Sequence, residues 1–287
     1  MLYEVIDSFK EAWRFFQYDY IYFDALFLSI WVGFLIKKKK WAALYFGIFT
    51  GICVYIIDAI AWFNILVNST YPPGTYIREY WIGGVYIPRP LGDYFWLKFG
   101  ADFMMTFSYA MFAFGWLWIV FENFKKKDYK EVTLFTSLLF ISWIFIPFLS
   151  FWIPLNDTPV VTVRHMSSQF ILWIVNVIIG YLTLIIIYGT KRFKSKNIRI
   201  IYFIFIIGCL ESFFMEFPLF ITGIRPTGIE FLLYEIIILF NQGAPYLYIL
   251  YDKILPWLIN RYEKIEMKKK SRLEIVIHTL GNKKKLI

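Results

Sequence analysis

Cysteine and histidine are almost missing from this sequence, which has two of each in 287 residues. Cys53 and Cys209 lie inside apolar runs, so they support neither a disulfide framework nor a thiolate metal site and read as packing residues. His165 and His278 lie outside those runs and cannot form a three-histidine zinc site. No serine–histidine pair falls within one run, which removes a hydrolase triad inside the bundle. Also absent are aspartates paired at a spacing of four, as a magnesium–diphosphate site requires, and a lysine between Ile229 and Leu250 that could carry a Schiff base. No metal or cofactor is expected. Residues 1–20 include Glu4, Asp7, Lys10, Glu11, Arg14 and Asp19, so they lack the uncharged apolar stretch of a cleavable signal peptide, and the first span directs insertion.

Apolar surface is what the chain has in excess. It is 59% hydrophobic and 23% aromatic with a mean hydropathy of +0.57, more than a water-soluble domain needs for its core. Runs long enough to cross about 30 Å of hydrocarbon fall at 18–36, 41–67, 94–121, 132–153, 168–188, 200–222 and 229–250. The expectation is an all-α polytopic membrane protein of seven transmembrane helices, with one domain over 1–250 and a tail over 251–287.

Orientation follows from the basic residues, because positive loops stay on the cytoplasmic side. Alternate connections collect Lys37 to Lys40, the group Lys125, Lys126, Lys127 and Lys130, the group Lys191, Arg192, Lys194, Lys196 and Arg199, and ten more in the tail, or 23 of the 30. The other side holds Lys10, Arg14, Arg78, Arg89, Lys98, Arg164 and Arg225. This places the N-terminus outside and the C-terminus in the cytoplasm. The net charge of +9 then reports topology rather than nucleic-acid binding, and the partner is the lipid bilayer, with the tail lying against anionic lipid. The outer connection 68–93 carries two β-branched, aromatic segments, 75–81 and 85–88, around Gly83-Gly84, which predicts a short hairpin. Asn68-Ser69-Thr70 in it fits a glycosylation sequon.

An internal repeat is visible as well. The first and fifth runs end in basic clusters. The second and sixth carry Asp58 and Glu211, each followed fifteen residues on by a proline, Pro73 and Pro226. The chain reads as three helices, a linker helix, and three more in the same orientation.

Acids inside the runs are the anomaly, since an aspartate at a helix centre costs about 2.5–3.5 kcal/mol even on a mild scale. Counted at about 1.5 Å per residue, Asp58, Asp102, Glu216 and Glu235 lie at one depth, about 9–14 Å below the outer ends, with Glu211 nearer the middle and Asp24 at the approach. Polar stripes share their faces: Asp102, Thr106 and Tyr109 on the third run, Gln169, Asn176 and Thr183 on the fifth, Glu235 and Gln242 on the seventh. Pro218 predicts a bend in the sixth helix beside Glu216, and the Gly243-Ala244-Pro245 segment one in the seventh below Glu235. Lysine and arginine lie only near the outer rim, so the acids are expected to lack counter-ions and to hold protons or bind a cation from outside.

Asp102, Phe103, Thr106 and the Phe217-Pro218 pair resemble the counter-ion and proline-kink positions of microbial rhodopsins in shape, without the retinal lysine. Asp58, Asp102 and Glu235, on the second, third and last helices, resemble the acids of the small seven-helix membrane terpene cyclases, although Asp58 precedes Trp62 where that family has a tryptophan–glutamate dipeptide. The cyclase resemblance implies an intramembrane acid–base enzyme of cyclase or isomerase type acting on an isoprenoid or other lipid. Asp58, Glu235 and Asp102 would be its catalytic residues, and Glu216, Glu211, Trp62, Thr106, Asn176 and Gln242 would line the substrate site, for a lipophilic or cationic small molecule. A proton- or cation-coupled carrier, or a seven-helix receptor, would use the same acids differently.

Overall fold

The computed structural model describes residues 10–67, 71–167, 169–190 and 197–264. The sequon, the basic group 191–196 and the tail beyond 264 lie outside them. Contacts divide the chain into two compact units, Met1–Pro245 and Tyr246–Ile287, and the site described below belongs to the first.

Long apolar stretches without internal partners in water become helices, because only a helix satisfies every backbone group within its own segment. Among the described residues six are long and apolar enough to cross a bilayer: α1 Asp19–Lys37, α2 Trp41–Asn64, α3 Gly92–Lys126, α4 Tyr129–Trp152, α5 Phe170–Gly189 and α6 Ile198–Ile221. The architecture is mostly helical and that of a multi-pass membrane protein. The seventh run begins as α7, Ile229–Tyr234, continues as a π-helical turn over Glu235–Leu239, and breaks at 240–242 before α8, Gly243–Ile249. The break falls just ahead of the Gly-Ala-Pro segment. At Pro218, in contrast, α6 continues unbroken to Ile221.

Apolar side chains such as Tyr45, Phe49, Ile57, Ile171, Leu172, Ile179 and Tyr202 stay exposed on α2, α5 and α6, forming the belt that a lipid-facing surface requires. Inside, α3 is the most buried of the six helices. It packs on α2 through small residues: a Cβ added at Gly51 would lie 2.8 Å from the Phe107 ring, and one at Gly47 would lie 3.2 Å from the Met111 carbonyl. Close approach of the two backbones at this Gly-x-x-x-Gly face is what brings Asp58, two turns further along α2, against α3.

The chain departs from an all-α fold at one end of the bundle. Strands β1 Glu11–Gln17, β2 Arg78–Ile82, β3 Val85–Tyr86 and β4 Pro159–His165 form an antiparallel sheet in the order β1-β4-β2-β3. The β2–β3 hairpin turns at Gly83 and Gly84, both at positive φ (61° and 78°), as expected from the sequence. The other two strands were not anticipated. Val160-Val161-Thr162-Val163 is β-branched throughout, and residues 11–17 alternate in burial, so both suit a pleated half-buried surface.

Candidate functional site

Pleating sends alternate residues to opposite faces. In this sheet Arg14 pairs across from Thr162, and Arg78 from Arg164, which places Arg14, Arg78, Arg164 and Tyr80 on the same face. That face lies on the helix ends. Arg78 Nη1 and Arg164 Nη2 both donate to Asp58 Oδ2, the second at 2.9 Å. Arg14 Nη2 donates to Glu216 Oε1 at 3.2 Å. From the turn after α6, Arg225 bonds Glu216 at 3.2 Å with one nitrogen and Glu235 with the other. Lys98, one turn before Asp102 on α3, pairs with it and donates to the Ala59 carbonyl at 3.0 Å, while the Tyr80 hydroxyl donates to the same Asp102 carboxylate.

The expectation of acids without counter-ions is therefore overturned. Five buried or nearly buried bases face four acids. Counting from span ends put the bases at the rim, but a sheet lid folded onto the bundle carries three of them inward. Burial is also the main cause that pulls Arg78 and Arg164 down to about 10, and a neighbouring guanidinium adds to it in each case. Both remain cations at neutral pH. Burial disfavours the Arg14 charge too, but Glu216, Tyr109 and Glu235 more than offset it and hold this guanidinium above its ordinary value. On the opposite face of the sheet, His165 lies 3.1 Å from Glu79 and 3.3 Å from Glu11. Burial alone would raise the Glu79 carboxyl, but hydrogen bonds from His165 and Tyr86 hold it below its ordinary value.

A cavity of about 170 Å³ lies beneath the lid, lined by α2 (Ile57, Asp58, Trp62), α3 (Met105, Tyr109, Phe114), Trp173 of α5, the 239–242 segment, and Arg14 and Arg164 from the strands. Trp62 and Trp173 stand 6.4 Å apart at ring centroids, and Arg164 lies 4.9 Å from the centre of the Trp62 ring. Ile57, one of the lining residues, is 51% exposed on the apolar surface of α2. Asp58 is only 4% exposed. Its Oδ2 takes both guanidiniums, while its Oδ1 is buried with no hydrogen-bond partner, as are Arg164 Nε and the Tyr109 hydroxyl. Three residues that line one cavity thus each hold a buried polar atom without a partner, which is unusual for buried groups.

Of the residues singled out in the sequence, Asp58, Trp62 and Gln242 line this cavity. Asp102 instead lines a separate cleft of about 430 Å³ with Lys98 and Arg89. Glu216 and Glu235 are held in the ion-pair chain with Arg14 and Arg225. Glu211 is buried in α6 beside Ser212, with no ion-pair partner among the described residues. Asp24 accepts from Ser108 at 2.9 Å away from the cavity. Thr106 donates to the Asp102 carbonyl, and Asn176 donates to Gln242 at 2.7 Å, propping the interrupted α7. Asp58 and Asp102 also coincide with π-helical turns, Tyr55–Ala61 around the first and Phe103–Ser108 just after the second, while Glu235 opens a third. Such wide turns re-aim side chains and are frequent at functional sites. Sequence reasoning missed the four arginines. Their only signal was the period-two placement of Arg14, Arg78 and Arg164 within apolar, β-prone segments.

Comparison of the chain with protein-family models, with curated proteins and with solved structures gave no match.

Proposed function

We propose that this protein is an intramembrane acid–base enzyme, of cyclase or isomerase type, that admits an isoprenoid or other lipid sideways from the bilayer and transfers a proton with Asp58 as base. The observation that carries this reading is the Asp58 carboxylate, fixed through one oxygen by two guanidiniums and unpaired at the other, on a residue that lines an aromatic cavity together with the exposed Ile57. Both guanidiniums donate to one oxygen of Asp58, and the other oxygen is the one assigned to accept the proton. Trp62, Trp173 and Tyr109 offer flat apolar walls for a hydrocarbon chain. Glu235 and Asp102, engaged elsewhere, support the lid rather than the chemistry. The expectation of a cationic ligand rested on missing counter-ions and loses its ground. The interrupted α7, propped by Asn176 and Gln242, is the feature that favours a carrier instead.

A photoreactive isoprenoid supplied in vesicles tests the reading. Cross-links should form at Trp62, Trp173 and Tyr109. Labelling spread over the exposed belt, with none of these three modified, would remove the cleft as a lipid site.

In this proposal the seventh run completes the bundle as a seventh, broken span, and the sheet end faces outward with the C-terminal tail in the cytoplasm. Support comes from the basic groups at Lys37 to Lys40 and Lys125 to Lys130, which lie at the end of the bundle opposite the sheet. The three-one-three repeat has less support, because Asp58 and Glu211 occupy unlike surroundings. A cysteine at the exposed Gly84 position should react with an impermeant reagent in intact cells. If a tail cysteine reacts and Gly84→Cys does not, the orientation is reversed.

A further inference from the structure

Asp58 is not a free base: Arg78 and Arg164 are both bound to the same oxygen. When Asp58 accepts a proton it loses its charge, and two buried guanidiniums are left facing a neutral acid, a situation that removing one partner of a buried pair makes strongly unfavourable. The step becomes feasible when the substrate supplies a replacement anion close to the same guanidiniums. Arg164, whose Nε is buried and without a hydrogen-bond partner, lines the same cavity, and the bases of the network already exceed its acids by one.

Resting on the function proposed above, we infer that the substrate is a neutral lipid bearing a carbonyl group, such as a ketone or aldehyde on an isoprenoid chain, and that Arg164 holds its oxygen as an enolate. A proton leaves the carbon next to the carbonyl for Asp58 Oδ1. The C–H electron pair becomes a C=C bond, and the C=O pair moves onto oxygen, which accepts from Arg164. Where the substrate carries a C=C bond β,γ to the carbonyl, the anion is a dienolate. Return of the proton from Asp58 to its γ-carbon uses the terminal C=C pair for the new C–H bond, and the oxygen pair re-forms the carbonyl with the C=C bond now between the α- and β-carbons. Without that bond the proton returns to the α-carbon as exchange. Total charge is unchanged at each stage, so no oxidant, metal or cofactor enters the balance. The negative charge shifts from Asp58 to the substrate oxygen beside guanidiniums that are already in place, which is electrostatic preorganisation for the charge that develops.

The test uses the full chain in phosphatidylcholine vesicles with geranylacetone, an isoprenoid methyl ketone, and the matching hydrocarbon. In deuterated water the protein should speed deuterium uptake next to the carbonyl by about 100-fold or more over protein-free vesicles. Arg164→Lys, which keeps the charge but loses the Nε–H donor, should lower that rate about 100-fold while the ketone still displaces the photoreactive label. A check independent of any variant is a geranyl-substituted nitrophenol, whose phenolate oxygen mimics the enolate. It should displace the label at least about 10-fold better than its methyl ether, corresponding to one good charge-assisted contact. Should the ketone displace the label without exchange, and phenol and ether bind equally, the carbonyl inference is wrong while the lipid cleft stands. Should neither ketone nor hydrocarbon displace the label, the lipid reading itself fails. Unchanged exchange in Arg164→Lys removes Arg164 from the oxygen site.

Discussion

Asp58→Glu should fold at close to the normal yield and lose about 100-fold or more in turnover, because one added methylene moves the carboxylate by roughly 1 Å while leaving its charge for Arg78 and Arg164. Asp58→Asn should behave differently. An amide matches the shape of the acid, but it cannot neutralise two buried guanidiniums, and loss of one partner in such a cluster costs about 3–5 kcal/mol. The asparagine variant should therefore lose folded protein as well as activity. Both are read by size-exclusion yield in detergent and by proton exchange in vesicles. A folded, fully active Asp58→Asn would mean that Asp58 neither carries the chemistry nor anchors the lid.

The largest stability effect is expected at Arg225. This residue is 2% exposed and bridges Glu216 and Glu235, so Arg225→Met leaves Glu235 without its partner and Glu216 with Arg14 alone. A loss of about 3–5 kcal/mol follows, enough to unfold a protein of ordinary stability. Restoring the balance with Arg225→Met and Glu235→Met together should recover most of it, since a buried pair replaced by apolar groups of similar volume is often neutral. Thermal melting in detergent measures both variants. A double variant no more stable than Arg225→Met would show that Glu235 contributes more than a counter-charge.

The helical spans and the hairpin were legible because their signals are local. Unbroken apolar length dictates a span, and two adjacent glycines between β-branched segments dictate a tight turn. The burial of Asp58, Asp102, Glu216 and Glu235 was legible too, since a charge in an apolar run must turn inward. What escaped was non-local. Whether Arg14, Arg78 and Arg164 point into water or into the bundle depends on β1 and β4 pairing, and on the sheet lying flat on the helix ends, neither of which is encoded within a window of ten residues. The π-helical turns at Tyr55–Ala61 and Phe103–Ser108 escaped for a related reason: they are set by packing between α2 and α3, not by a residue pattern. That omission mattered, because the turn around Asp58 decides which cavity its carboxylate enters.

The strand order β1-β4-β2-β3 also constrains how the protein is made. Helices enter the membrane in the order of synthesis, but β1 and β2 are joined only through β4, which follows the fourth helix. Arg164 reaches Asp58 across 106 residues, and Arg14 waits for Glu216 across 202. Until those segments emerge from the ribosome, Asp58 has only Arg78 of its two guanidiniums and Arg14 lacks Glu216, a charge imbalance visible to chaperones and proteases that recognise polar groups in the bilayer. Completion of the last helices silences that signal. A nascent chain halted before β4 should thus be cleared rapidly.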